Sequence, residues 1–193
     1  MTLFGWGKKP PLTPAQQLQS GRWRCAKCSE EHGWPVDLAA HAPDPWRGDG
    51  EYKHNGALRY DGDFLSEDFC VLDGKYFMVR AVLRIPVKDV ADDFGFGCWS
   101  TLSRENFDIY VHGFDNGEYP DWGPWSGWLC NQLADYVGDD PLAVWVEPRP
   151  ERKRPLLWVM DDDHPLAIAQ EKGITAERVL ELFAYYCSNP ETC

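Results

Sequence analysis

The 193-residue sequence contains no long apolar run. No stretch approaches the roughly 20 apolar residues that a membrane-spanning helix needs, so we expect no transmembrane segment. The first residues, "MTLFGWGKKPPLTPAQQLQSGR", lack the apolar core and the small-residue cleavage site of a secretory signal. We therefore expect a cytoplasmic protein.

Positive charge is also scarce. The chain has 19 Lys and Arg residues against 31 Asp and Glu residues, which gives a formal net charge of −12. This balance repels nucleic-acid phosphates and anionic membranes, so we expect neither as a partner. A basic protein would be attracted. The simpler explanation of the acid excess, which we favour, is the solubility of a cytoplasmic protein, and a basic partner is the alternative hypothesis.

The seven cysteines include a single Cys-x-x-Cys pair. Without a secretory signal, we expect reduced thiols or metal ligands instead of a disulfide framework. In "RWRCAKCSEEHGWP", Cys25 and Cys28 have the spacing that lets a tight turn aim two sulfurs at one tetrahedral ion, and His32 follows closely. The sequence therefore predicts a zinc knuckle with these three ligands, and zinc held there would be structural.

The fourth ligand is not fixed by the local pattern. The remaining candidates, Cys70, Cys98, Cys130 and His164, are single residues that only folding can bring near the knuckle. We favour Cys70, because it opens a predicted hairpin whose strand can lie beside the knuckle, and His164 is the runner-up. Metal-free thiols and a redox dithiol are the alternatives. The redox form usually lies at a helix N-terminus, which the residues after Cys28 do not favour.

The pattern along the chain predicts a single α+β domain. Residues 1–21 read as a flexible tail with one helical turn after Thr13 and Pro14, and residues 22–189 as the domain. Asp73 and Gly74 separate two β-prone runs and predict a tight hairpin. Further strands are expected in "FGFGCWSTL", "LAVWVE" and "PLLWVM", with helices in "SRENFDIYVHGF", "GWLCNQLADYV" and after Asp163 and Thr175.

Successive strands, with the helices grouped toward the C-terminal half, indicate a mostly antiparallel sheet. A doubly wound parallel sheet would need the strand-helix alternation that is missing here.

Several longer pieces of sequence occur together in one order: "WRCAKCSEEHGWPVD", "SEDFCVLDGKYFMVRAVLRIPV", "FGFGCWSTLSRENF", "GWLCNQL", "RPLLWV" and "DHPLAIAQEKGITAERV". In this combination the chain resembles the bacterial domain-of-unknown-function family 2199. The resemblance implies a compact bacterial α+β domain without an assigned reaction. It implies counterparts of Cys25, Cys28, His32, Cys70 and His164, ahead of Cys98 and Cys187. It also implies a Gly where this chain has Ser29, because Gly eases the tight turn.

Two further groups of residues could carry function. "DDDHP" places Asp161, Asp162 and Asp163 beside His164, which suits either a metal-dependent hydrolase or the capping of a helix. Trp122, Trp125 and Trp128 lie three apart in a Gly/Pro-rich segment, which suits either a binding surface or a lid over the core.

No complete catalytic set is present in the sequence. We therefore expect a non-enzymatic binding domain with a structural zinc knuckle, in one form an antitoxin-like or immunity-like protein that acts on a basic toxin. The alternative is a hydrolase that uses the Asp161–His164 cluster.

Overall fold

The computed structural model describes residues 10–35, 37–116 and 123–187. Within these residues the elements are, in chain order, α1 (Pro14–Gln19), β1 (Arg22–Arg24), β2 (Glu31–Gly33), β3 (Asp37–Ala39), β4 (Phe64–Leu65), β5 (Phe69–Leu72), β6 (Tyr76–Ile85), β7 (Phe94–Leu102), α2 (Arg104–Asn116), β8 (Trp125–Trp128), β9 (Ala143–Glu147), β10 (Leu156–Val159), α3 (Pro165–Lys172) and α4 (Ala176–Tyr186). No helix among them is long and apolar enough to cross a membrane.

Strands β1 and β2 form a small antiparallel hairpin, and the other eight strands form one sheet. The main path of the sheet runs β3-β7-β6-β10-β9-β8, while β5 pairs with β6 and carries β4. Most pairings are antiparallel, but β3–β7 and β6–β10 are parallel. A bridge between Ser100 and Leu129 brings the end of β8 back to β7, so the sheet curls round on itself. The α+β fold class is therefore confirmed.

The predicted hairpin forms the centre of the sheet. Asp73 and Gly74 have φ of 53° and 63°, the left-handed values that a tight two-residue turn requires. The following strand β6 then pairs with β7 from Phe77 and Leu102 to Ile85 and Phe94. Alternate residues of β6 face a core of aliphatic and aromatic side chains, because successive side chains of a strand point to opposite faces.

The helices cover this core. On α2, Phe107 and Tyr110 are fully buried, and Phe107 lies 5.9 Å from Phe69 between ring centroids. On α4, Phe183 packs edge-on against Phe94 of β7, with ring centroids 5.8 Å apart. The apolar face of the last helix, which includes Val179 and Leu182, thus lies against the sheet.

Two expectations differ from the structure. Instead of a short helix, "GWLCNQLADYV" begins in β8 and continues through turns that a bridge between Leu133 and Val137 closes. Gly127 lies so close to the Thr101 carbonyl that a Cβ there would be 2.2 Å away, and only an extended chain with Gly permits this approach. The helical turn expected after Thr13 and Pro14 is present as α1, capped by Thr13. Its Leu18, however, is fully buried in the core, which a flexible tail would not be.

Candidate metal centre

The knuckle is the turn of the β1–β2 hairpin. Trp23 and His32 are direct partners in this hairpin, and the Cys25 N–H donates to the Glu30 carbonyl over 2.9 Å. The Ser29 N–H donates to the Cys25 carbonyl over 3.0 Å, which folds the chain tightly between the two cysteines. Because the segment joins two strands, Cys25 and Cys28 do not lie at a helix N-terminus, and the redox-dithiol interpretation loses its structural basis.

The hairpin rests on the last helix. The Phe183 ring lies 4.9 Å from that of Trp23 and 6.5 Å from that of His32, measured between centroids. Cys187 follows Phe183 by one helical turn, and its N–H donates to the Phe183 carbonyl over 2.8 Å. Residues four apart lie on the same face of a helix. The packing of Phe183 therefore places Cys187, one turn later on the same face, close to the knuckle.

Four potential ligands meet where the hairpin touches α4. The ligand atoms of Cys25, Cys28, His32 and Cys187 all lie within 4.8 Å of one another. Cys28 Sγ and His32 Nε2 lie 3.2 Å apart. Zn–S bonds of about 2.3 Å place the ligands of a tetrahedral site about 3.8 Å apart, so a small contraction would complete the coordination shell. Cys25 and Cys187 are buried and the other two are half-buried, which makes this a closed site.

Local hydrogen bonds favour the ionised form of the first sulfur. Burial alone would raise the pKa of the Cys25 thiol, but bonds from the backbone N–H groups of Cys28 and Lys27 lower the pKa below its ordinary value. The Lys27 N–H lies 3.4 Å from Cys25 Sγ. A thiolate is the form of cysteine that binds a metal. The turn therefore prepares the sulfur for that role.

Cys187 is disulfide-bonded in the structure. A sulfur in a disulfide carries no thiolate charge, so it cannot serve as an ordinary zinc ligand. The complete Cys₃His shell therefore requires that this bond be reduced.

The structure brings together three of the predicted ligands, Cys25, Cys28 and His32, but not the predicted fourth. Cys70 lies on β5 in a separate apolar cluster with Leu65, Met78 and Trp99. Burial raises the pKa of its thiol to about 12, so the sulfur stays protonated. The β5 hairpin pairs with β6, not with the knuckle, and Cys187 occupies the position that we assigned to Cys70.

The runner-up ligand His164 is the N-cap of α3. Its Nδ1 accepts the Leu166 N–H over 3.1 Å, while the Asp161 carboxylate accepts the Asp163 N–H over 3.1 Å. Within the described part of the chain these residues belong to no metal-ligand group. The "DDDHP" segment thus begins a helix, as the capping interpretation expected, with His164 in the N-cap position.

Of the three tryptophans predicted as a binding surface, Trp125 and Trp128 lie on opposite faces of β8. Trp122 lies outside the described residues. Trp125 is half-buried and packs toward the core, with its ring 6.5 Å from that of Tyr110. Trp128 is exposed on the other face of β8. The alternation of a strand, which we mistook for a helix here, separates the two residues.

Sequence reasoning passed over Cys187, although a signal was present. The apolar stripe of α4 includes Val179, Leu182 and Phe183, and Cys187 continues it one turn beyond Phe183. A cysteine on the buried face of a terminal helix is well placed to meet a partner from elsewhere in the chain. The pattern could have identified the face, but not the knuckle as its neighbour.

The family model for an uncharacterised protein conserved in bacteria, DUF2199, matches residues 24–174. The chain belongs to the DUF2199 family. The match contains Cys25, Cys28 and His32 but ends before α4, so Cys187 lies beyond it. No curated protein and no solved structure matches the chain.

Ser29 occupies a strained position in this DUF2199 chain. Its φ is 62°, in the left-handed region that favours glycine, which accounts for the Gly implied here by the family resemblance. Ser29→Gly should raise the free energy of unfolding by about 0.5–1 kcal/mol, since relief of strain outweighs the added freedom of the unfolded chain. Urea denaturation measures this change.

Gly21→Ala is the matched control, because Gly21 also has a left-handed φ, of 77°. Placing a side chain there should lower the free energy of unfolding. If Ser29→Gly lowered it as well, the strain assigned to the knuckle would be contradicted.

Proposed function

We propose that this protein is a zinc-stabilised binding domain and not an enzyme. The observation that carries the proposal is the meeting of Cys25, Cys28, His32 and Cys187, whose ligand atoms lie within 4.8 Å of one another. Three thiolates and an imidazole are a typical donor set for structural zinc, and they leave no open position for a reacting water. The ion would fasten the first hairpin to the last helix.

The proposed zinc would stabilise a hairpin that lies outside the main sheet. The β1–β2 hairpin is separate from the main sheet, and each of its strands has three residues. An isolated two-stranded hairpin is marginally stable in water. This hairpin packs on α1 and, through Trp23, on Phe183. The proposed metal would add a further link and so contribute directly to its folding.

The proposed partner is a basic protein. The supporting observation is the net charge of −12, which favours association with a cationic surface. An immunity-like or antitoxin-like role against a basic toxin fits this size and charge. The hydrolase alternative receives less support, because the Asp161–His164 segment already caps α3.

Metal content tests the zinc proposal. Protein prepared under reducing conditions should contain about one zinc per chain, as expected for a single four-ligand site. Cys25→Ser and Cys187→Ser should each reduce the zinc content sharply, whereas Cys70→Ser should retain it because Cys70 lies in another cluster. Elemental analysis of the folded proteins provides the measurement, and an oxidised sample should hold less zinc than the reduced one.

A zinc-free reduced protein would contradict the proposal. So would a folded Cys70→Ser variant that has lost its metal.

Affinity capture tests the binding role separately. Tagged protein expressed in its native host should recover a basic protein in a stoichiometric complex, and the complex should weaken as salt is added, because screening reduces long-range attraction. Mass spectrometry identifies the partner, and the same tag on an unrelated acidic protein is the control. Repeated recovery of no stoichiometric protein would count against a binding function.

A further inference from the structure

Three tryptophans share the outer face of β8, β9 and β10. Trp128, Trp145 and Trp158 are 53%, 40% and 40% exposed. Trp145 pairs directly with Trp158 across β9 and β10, while Trp128 pairs with Ala143, two residues before Trp145 on β9. Residues two apart on a strand point to the same side, so the three indoles form one surface. The core lies on the opposite side, where the alternate residues of these strands are buried.

Neighbouring side chains enlarge this apolar surface. The Met160 N–H donates to the Ala143 carbonyl over 3.1 Å, which places Met160 in the same row as Trp128. A cleft of about 440 Å³ lies beside it, lined among others by Tyr76, Trp128 and Met160, and Tyr76 is itself exposed. We call Tyr76, Trp128, Trp145, Trp158 and Met160 the tryptophan face. Contiguous exposed apolar surface of this kind marks interaction sites on soluble proteins.

Carboxylates border one end of the tryptophan face. Asp139 and Asp140 precede β9, and the run Asp161–Asp163 follows β10. Because β9 and β10 are antiparallel, both groups lie at the end of the sheet where Met160 meets Ala143. All five are exposed, and none takes part in an ion pair within the described residues. Lys75 supplies a positive charge in the adjoining cleft.

Two of the basic residues at the opposite end form ion pairs within the protein. Lys153 pairs with Glu151 over 2.7 Å, and Arg154 pairs with Glu67 and Asp68 over 3.1 Å and 3.0 Å. The tryptophan face is bordered by negative charge at the end where Met160 meets Ala143.

We propose that the tryptophan face binds a basic segment of another protein. Apolar side chains of that segment would lie on the indoles, and its Lys or Arg residues would face the five carboxylates. Large aromatic side chains commonly dominate the energy of such contacts. A second copy of this chain fits less well, because it brings its own charge of −12. The inference rests on the proposed binding role but not on the zinc site.

A short alternating lysine–valine peptide serves as the probe, with fluorescence anisotropy as the readout. The wild-type protein should bind it, and the double variant Trp145→Ser, Trp158→Ser should bind about tenfold more weakly. The charge-only variant Asp161→Asn, Asp162→Asn should also weaken binding and reduce its dependence on salt. Alternating lysine–serine and glutamate–valine peptides should bind poorly, since each lacks one of the two required features.

Two controls test the specificity of binding and the folding of the variants. Leu12→Ser removes another exposed apolar side chain from outside the face and should leave binding unchanged. If the double variant unfolds, Trp128→Ser at the end of β8 replaces it, with near-ultraviolet circular dichroism to verify the fold.

Equal peptide binding by the wild-type protein and the tryptophan variants would overturn the proposal. So would equal binding of the glutamate–valine peptide, or self-association of the wild-type protein that the double variant abolishes. A host partner captured equally by the wild-type protein and the double variant would leave the binding role standing and contradict only this face.

Discussion

Phe183 is the contact on which the arrangement of the domain depends. Its ring touches Trp23 of the first hairpin on one side and Phe94 of the sheet on another. Aromatic pairs of this kind combine large apolar burial with a preferred edge-on geometry. One side chain of the last helix therefore sets the position of the knuckle relative to the sheet, and Cys187, one turn later, arrives at the knuckle because of it.

Much of the fold could be predicted because local signals were strong. Asp73 and Gly74 fixed the turn of the central hairpin, and Gly173 ended α3 before Thr175 capped α4. The β8 segment was mistaken for a helix because its extended conformation depends on contact with the Thr101 backbone, and a local pattern does not contain that contact. Leu18 was placed in a tail because a six-residue helix gives little periodicity.

The ligands of the candidate metal centre were likewise predicted only in part. Cys25, Cys28 and His32 are close in sequence, and their spacing alone predicted that they would meet. The fourth ligand comes from far along the chain, where spacing gives no guidance, and Cys70 proved to belong to another cluster. The tryptophan face differs from the fourth ligand in this respect. Trp145 and Trp158 occupy the outward positions of strands that the sequence correctly predicted.

The central claim is that one zinc ion joins the first hairpin to the last helix through three sulfurs and one nitrogen. X-ray absorption at the zinc edge of the reduced, metal-loaded protein tests this shell directly. The account predicts three sulfur neighbours at about 2.3 Å and one nitrogen neighbour at about 2.0 Å. A shell with two sulfurs or fewer would contradict it, because Cys187 would then not be a ligand and the ion would not connect the two elements.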